Sequence, residues 1–362
     1  MKKFVLVVLM IFSIFSISVS AQEEYLKGRI LKLEDCLSPE EEVEELKEIM
    51  LYSVVIAEGP REGNTILVEF PIYREEAFNI NVKEGDRVVL YYEVDDEGNE
   101  KYYIADIDKR MDILYLTGIF VLIVLLLAKF KGFKAMIALL LVILFIYKIF
   151  LPGIILGYSP ILLSVIVALF ASVVTIYLMT GFNRKGVVAI IGSFGGVIIA
   201  GALSYTFVNT MRLTGYVTTE TLNYASMLGN IKVKEMISAG VILGSMGAVM
   251  DVAMSIASAL NELKEKNRDI HRKELFYSGM RIGSDIIGTM INTLILAYIG
   301  SSLMTSIFIY MQKDQYPSIR ILNFESIVVE ILRALCGSIG ILIAVPVTAY
   351  IAAKIYSKKI KN

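Results

Sequence analysis

Asp251 interrupts a long apolar run in this 362-residue chain, and an aspartate is hard to place there. A charged carboxylate near the bilayer centre costs ~2.5–3.5 kcal/mol on insertion scales. It is therefore expected to be protonated, paired, hydrated or bound to a cation. Gly240, Gly244, Gly247, Asp251, Ser255 and Ser258 recur at spacings of 4, 3, 4, 4 and 3, which puts them on one face of a helix. At a rise of about 1.5 Å per residue Asp251 lies ~4 Å from the middle of its run.

Two later runs carry similar faces. Arg281, Asp285, Gly288 and Asn292 share one. There Arg281 and Asp285 can pair at i,i+4 near the cytoplasmic surface, and Asn292 falls at about the depth of Asp251. Glu330, Arg333, Gly337, Gly340 and Ala344 share another, with spacings of 3, 4, 3 and 4. Glu330 and Arg333 can pair near the outer surface. Together the three faces read as the lining of a polar path for a small solute, proton or cation. The competing reading is helix glue: the groups hold helices together and hydrate locally, and Glu330 and Arg333 reach the interface by snorkelling.

Enzymatic chemistry has little to work with. An intramembrane aspartyl protease needs two carboxylates at one depth, but Asp285 is placed near the surface and Gly-x-Gly-Asp is missing. The single histidine, His271, lies in a charged loop, so neither a serine–histidine pair nor a zinc mechanism has its parts. The two cysteines, Cys36 and Cys336, fall in different regions and form no zinc-type cluster. No cofactor, metal or catalytic residue is expected, and the chain is not expected to be an enzyme.

The elements that must position these residues are apolar runs near 112–128, 135–151, 161–180, 187–208, 237–260, 285–308 and 326–353. Each is long enough to cross the hydrocarbon core. The fourth carries a small-residue ridge, Gly192, Gly196, Ala200 and Ser204, of the kind that lets helix backbones approach in lipid. Ahead of the runs, Lys2 and Lys3 precede an apolar stretch and a Val19-Ser-Ala21 end. This is signal-peptide anatomy over 1–21, with an uncleaved anchor as the alternative. If residue 110 is outside, the inner loops and tail hold 15 Lys/Arg and the outer loops five, which agrees with the positive-inside rule. The expected location is the cell membrane, multi-pass, with an extracytoplasmic N-terminal domain, residues 111–362 in the membrane domain and a cytoplasmic C-terminus.

The average composition, 56% hydrophobic with a net charge of −1, hides an acidic block. Residues 22–110 hold 24 Asp/Glu against 11 Lys/Arg, a local balance of −13. They also show five β-like segments with hairpin spacing, which suggests a small all-β barrel with an OB-like fold as the candidate. A helix is expected to interrupt it, capped by Ser38, Pro39 and Glu41 and striped by Val43, Leu46 and Met50. No basic stripe interleaved with aromatics supports nucleic-acid binding.

The string Gly244-Ser-Met-Gly-Ala-Val-Met-Asp-Val-Ala-Met-Ser-Ile-Ala-Ser258 resembles the signature of the YibE/F-like family. So does the segment from Ser278 to Ser302, and Lys131-Gly-Phe-Lys134 and Gly85-Asp86 also fit. The resemblance implies a bacterial multi-pass membrane protein with an exported N-terminal segment, and carries no biochemical activity with it. The residues favour a permease or ion-coupled transporter that uses an intramembrane carboxylate. The alternative is a non-transporting receptor or assembly factor whose exported domain captures a protein partner.

Overall fold

A computed structural model describes residues 25–38, 45–58, 61–94, 100–217, 219–223, 229 and 231–357. The expected signal peptide lies outside the described residues. The chain divides between Leu126 and Leu127 into two compact units.

The first unit is built on an antiparallel sheet of β1 (Tyr25–Leu37), β2 (Leu46–Ile56), β3 (Thr65–Tyr73), β4 (Arg87–Val94) and β5 (Glu100–Ile107), in the order β3-β2-β1-β4-β5. Period-2 patterning explains its two faces. In β3, Val68 and Phe70 are buried while Thr65, Leu67 and Glu69 face out. The register of β1 against β2 shifts between Ile30 and Lys32 and between Leu33 and Asp35. Such bulges bend a strand and increase its twist. They let the 13-residue β1 pair with both neighbours while edge strands β3 and β5 come into contact, the curl expected of a small, partly closed barrel. Ile30, Val54, Ile56, Val68, Val88 and Leu90 fill its core.

The inserted helix is a correction. Leu46 and Met50 lie in β2, where they pair with Tyr73 and Phe70; Val43 and the proposed first turn lie outside the described residues. The stripe Val43, Leu46, Met50 fits a helix, but β2 gains a neighbour on each side along this stretch, and tertiary pairing overrides the local pattern.

After β5, Asp108 accepts hydrogen bonds from Arg110 Nε at 2.7 Å and Arg110 Nη2 at 2.9 Å. These bonds hold its carboxyl at about 2, below the usual 3.8. A depressed carboxylate contributes stability that is complete above the usual value and lost as pH falls through about 2. A carboxyl-carbon shift titration is expected to give a midpoint of about 2 for Asp108. In Arg110→Ala that midpoint is expected to rise toward 3.8.

The second unit is helical. The long elements are α1 (Arg110–Phe145), which begins in the first unit, α3 (Pro160–Thr180), α4 (Arg184–Thr210), α5 (Val233–Lys266), α6 (Arg272–Ser301) and α8 (Glu325–Tyr356). Shorter pieces are α2 (Leu151–Ile155) and α7 (Leu303–Met311). Six helices are long and apolar enough to cross a membrane, where the sequence suggests seven. The two expected first spans form one helical stretch, Arg110–Ile155, of 46 residues. At 1.5 Å per residue it would be ~69 Å long, about twice the hydrocarbon thickness, and it is broken at Lys129 (φ 48°, ψ −130°). Its end widens into a π-helical segment at Ile146–Phe150 just before Pro152, where the ring would clash with a carbonyl four residues back. The sixth expected span is shifted: its helix starts at Arg272, and the apolar stretch that drew the span toward 308 is the separate α7.

Local caps set several boundaries. Ser159 accepts from the Leu162 amide ahead of Pro160, and Asn183 from the Gly186 amide at 2.8 Å. Gly181 ends α3 with a φ of 79°, a conformation that favours glycine. The bundle centres on α4, α5 and α8. The expected ridge on α4 packs there: a Cβ on Gly196 would lie 2.6 Å from the Gly340 carbonyl and 2.7 Å from Val249 Cγ1. Ser204 Oγ meets Ser238 Oγ at 3.1 Å.

Candidate functional site

The polar faces read from the sequence separate into two groups. The first is internal. On α8 Arg333 Nη1 donates to Glu330 Oε1 at 2.7 Å, as the i,i+3 spacing predicts. The pair leans on α5 and α6. A Cβ on Gly240 would lie 3.6 Å from Arg333 Nε, and one on Gly244 would collide with the Tyr298 hydroxyl. Tyr298 comes from α6, and its ring also approaches Gly337 on α8. Two glycines of α5 thus clear the space into which a guanidinium and a phenol project from neighbouring helices.

Hydrogen bonding here is incomplete. Among the described residues, four buried side-chain polar atoms have no partner: Tyr298 Oη, Glu330 Oε2, Arg333 Nε and Ser338 Oγ. Three belong to this cluster. A buried polar atom left unpaired costs ~1–3 kcal/mol, so three in one place call for an explanation. The free groups are complementary in kind. The tyrosine hydroxyl and Arg333 Nε donate, and Glu330 Oε2 accepts. Tyr298 and Glu330 also line a cleft of about 290 Å³ between α6, α7 and α8, with Ser302, Ser306, Ser326 and Ala334 among its other walls. Glu330 and Arg333 neutralise one another, so a net-neutral polar molecule can bind without leaving an uncompensated charge in a low-dielectric site.

Two carboxylates brace the helix ends beside the cluster. Glu325, at the start of α8, accepts from the amides of Thr214 and Gly215, each at 2.7 Å. Glu235, at the start of α5, accepts from Ser159. Each lies five residues before a cluster residue, Glu330 and Gly240 respectively.

The second group faces outward. Gly247, Asp251 and Ser255 continue the α5 face past Gly244 and are exposed, and a Cβ on Gly247 would meet nothing within 4 Å. Asp251 has no hydrogen bond or ion pair among the described residues. On α6, Arg281, Asp285, Gly288 and Asn292 are all exposed. Arg281 and Asp285 do not form the pair their spacing allows: both are free of ion pairs among the described residues. The structure therefore unites Gly244, Glu330 and Arg333, and leaves Asp251, Ser255, Gly247, Asp285, Arg281 and Asn292 outside that cluster. Among the described residues no group of three His, Cys, Asp or Glu side chains is placed to hold a metal ion.

Tyr298 is the residue that spacing misses. It lies six positions after Asn292, off the face the other polar residues mark. Its only signal is a hydroxyl inside an apolar stretch.

A family described as YibE/F-like protein matches residues 116–358. The match takes in all the helices of the cluster and leaves the sheet, with Gly85-Asp86, outside it. No curated protein and no solved structure matches.

Proposed function

The chain belongs to the YibE/F-like family, and we propose that it is a permease that passes a small polar solute across the cell membrane through the Tyr298–Glu330–Arg333 cluster. One observation carries this reading. Three complementary polar atoms stand unpaired, and two of their residues, Tyr298 and Glu330, line a cleft between α6, α7 and α8, where helix glue would satisfy its own hydrogen bonds. Gly240 and Gly244 let Arg333 of α8 and Tyr298 of α6 approach α5 closely. Asp251, near the middle of α5, is the coupling carboxylate for a proton or cation in this scheme. With the 110–155 stretch crossing twice about its break at Lys129, the first unit lies outside and the C-terminus inside in this scheme, a reading supported by 15 inner against five outer Lys/Arg.

An uptake screen of small neutral and zwitterionic solutes in proteoliposomes tests the proposal. Tyr298→Phe is expected to lower uptake by about tenfold or more through one lost hydrogen bond to a desolvated group, with assembly unchanged. Asp251→Asn is expected to abolish the dependence of uptake on an ion gradient. Unchanged uptake in Tyr298→Phe counts against the site, and ion dependence that survives in Asp251→Asn counts against the coupling role.

One observation favours the second reading, a receptor or assembly factor. Tyr25, Tyr91 and Tyr103 line up across β1, β4 and β5, with ring centroids 5.3 and 6.5 Å apart, and Tyr25 is 61% exposed. Such a ladder suits a docked protein partner. Deleting residues 22–110 abolishes function under that reading and leaves residual uptake under the first.

A further inference from the structure

The outward face of α6 has no use within one copy of the chain. Arg281, Asp285, Gly288 and Asn292 are exposed at spacings of 4, 3 and 4. At ~100° per residue they fall within an arc of about 60°. The arc lies opposite Gly279 and Gly283, where a Cβ would collide with Ala349 and Val345. Gly288 differs from those two glycines, since a Cβ there would meet nothing within 4 Å. Neighbouring hydroxyls look after themselves: Thr289 donates to the Ile286 carbonyl at 2.9 Å and Thr293 to that of Thr289 at 2.8 Å. Arg281, Asp285 and Asn292 make no hydrogen bond or ion pair among the described residues. Asn292, at about the depth of Asp251, is costly to leave unmatched with lipid on that side, and Arg281 and Asp285 nearer the surface are left without the partners their charges call for.

We infer that this face is the contact between two copies of the chain, related by a two-fold axis along the membrane normal. The chemistry is self-complementary in the sense such an axis requires. The axis preserves depth, so each residue meets its own kind or a neighbour one turn away. An asparagine amide both donates and accepts, and Asn292 of one copy satisfies Asn292 of the other. Arg281 and Asp285 stand one turn apart, so Arg281 of each copy reaches Asp285 of the second, and the pairing is made twice. Gly288, between Asp285 and Asn292, lets the two backbones approach, as small residues do at helix contacts in lipid. The 4-3-4 spacing is the seam of a left-handed helix pair. This inference rests on α6 alone and is independent of the permease reading.

Disulfide cross-linking of the full-length chain in lipid vesicles at low protein density tests it, in a background with Cys36→Ser and Cys336→Ala. Gly288→Cys and Asn292→Cys are expected to form covalent dimers on oxidation with copper phenanthroline. Thr293→Cys, exposed but ~100° further round the helix, is expected to do so at least about tenfold more slowly, a margin worth ~1.4 kcal/mol. Equal rates at all three positions, or no dimer from Gly288→Cys and Asn292→Cys, would overturn the inference. Should the cysteine variants fail to insert, photobleaching of the otherwise unaltered, singly labelled chain decides the matter. Two steps per particle support the pair, and a majority of single steps refutes it.

Discussion

Arg333→Met is expected to destabilise the folded protein by ~2–3 kcal/mol, because it strands the Glu330 carboxylate without its counter-charge. Fully buried pairs lose ~3–5 kcal/mol when one partner is removed. The lower figure applies because the Arg333 and Glu330 side chains keep 33% and 25% of their exposure. The double variant Glu330→Gln/Arg333→Met removes both charges and is expected to recover most of that loss. Thermal unfolding in lipid nanodiscs reads the comparison. The permease reading adds that the rescued double variant stays inactive in uptake, whereas helix glue would leave it as active as its stability allows.

Gly196→Val is the second large effect. Its Cβ would lie 2.6 Å from the Gly340 carbonyl oxygen, 2.7 Å from Val249 Cγ1 and 2.9 Å from Ala344 Cβ. The side chain would be driven into α5 and α8 at once, and one of its contacts is backbone that cannot rotate away. Overpacking of a tight core costs ~1–3 kcal/mol and more where nothing can yield, so a loss of ~3 kcal/mol or greater is expected. Gly247→Ala is the matched control. It stands in open space on α5, and its unfolding is expected to change by no more than the ~1 kcal/mol that alanine gains over glycine in a helix.

Much of this protein was legible in its sequence. Apolar run length gave α3, α4, α5 and α8 to within a few residues, because lipid demands a minimum helical length. The α4 ridge reads as a packing surface, and Gly196 and Ser204 pack. The Glu330–Arg333 pair was legible from spacing alone, since i,i+3 fixes proximity on a helix. The strand count was legible from turn residues and alternation.

The misses share a physical cause. A helical stripe tells which residues share a face, and says nothing about what that face meets. Arg281 and Asp285 sit at pairing distance along the helix, yet they form no ion pair among the described residues. Spacing puts Asp251 on one α5 face with Gly240 and Gly244, but it does not tell that Gly240 and Gly244 approach Arg333 and Tyr298, while a Cβ on Gly247 would meet nothing within 4 Å and Asp251 and Ser255 are exposed. Tyr298 enters only because α6 packs beside α8 through Leu294 and Gly337, a tertiary contact with no local signature. Leu46 and Met50 read as helical because their partners in β3 lie 27 and 20 residues away.

The claim on which the permease reading stands is that water, and with it a polar solute, reaches the cluster formed by Tyr298, Glu330 and Arg333. A membrane-impermeant thiol reagent applied to single-cysteine variants in sealed vesicles, with Cys36 and Cys336 replaced, measures this directly. Ala334→Cys, on the cleft wall, is expected to react readily, while Leu342→Cys, two turns further along α8, off the cleft and 40% exposed, is expected to face lipid and stay unlabelled. If Ala334→Cys is as protected as Leu342→Cys, the cluster is dry helix glue and the proposed path does not exist.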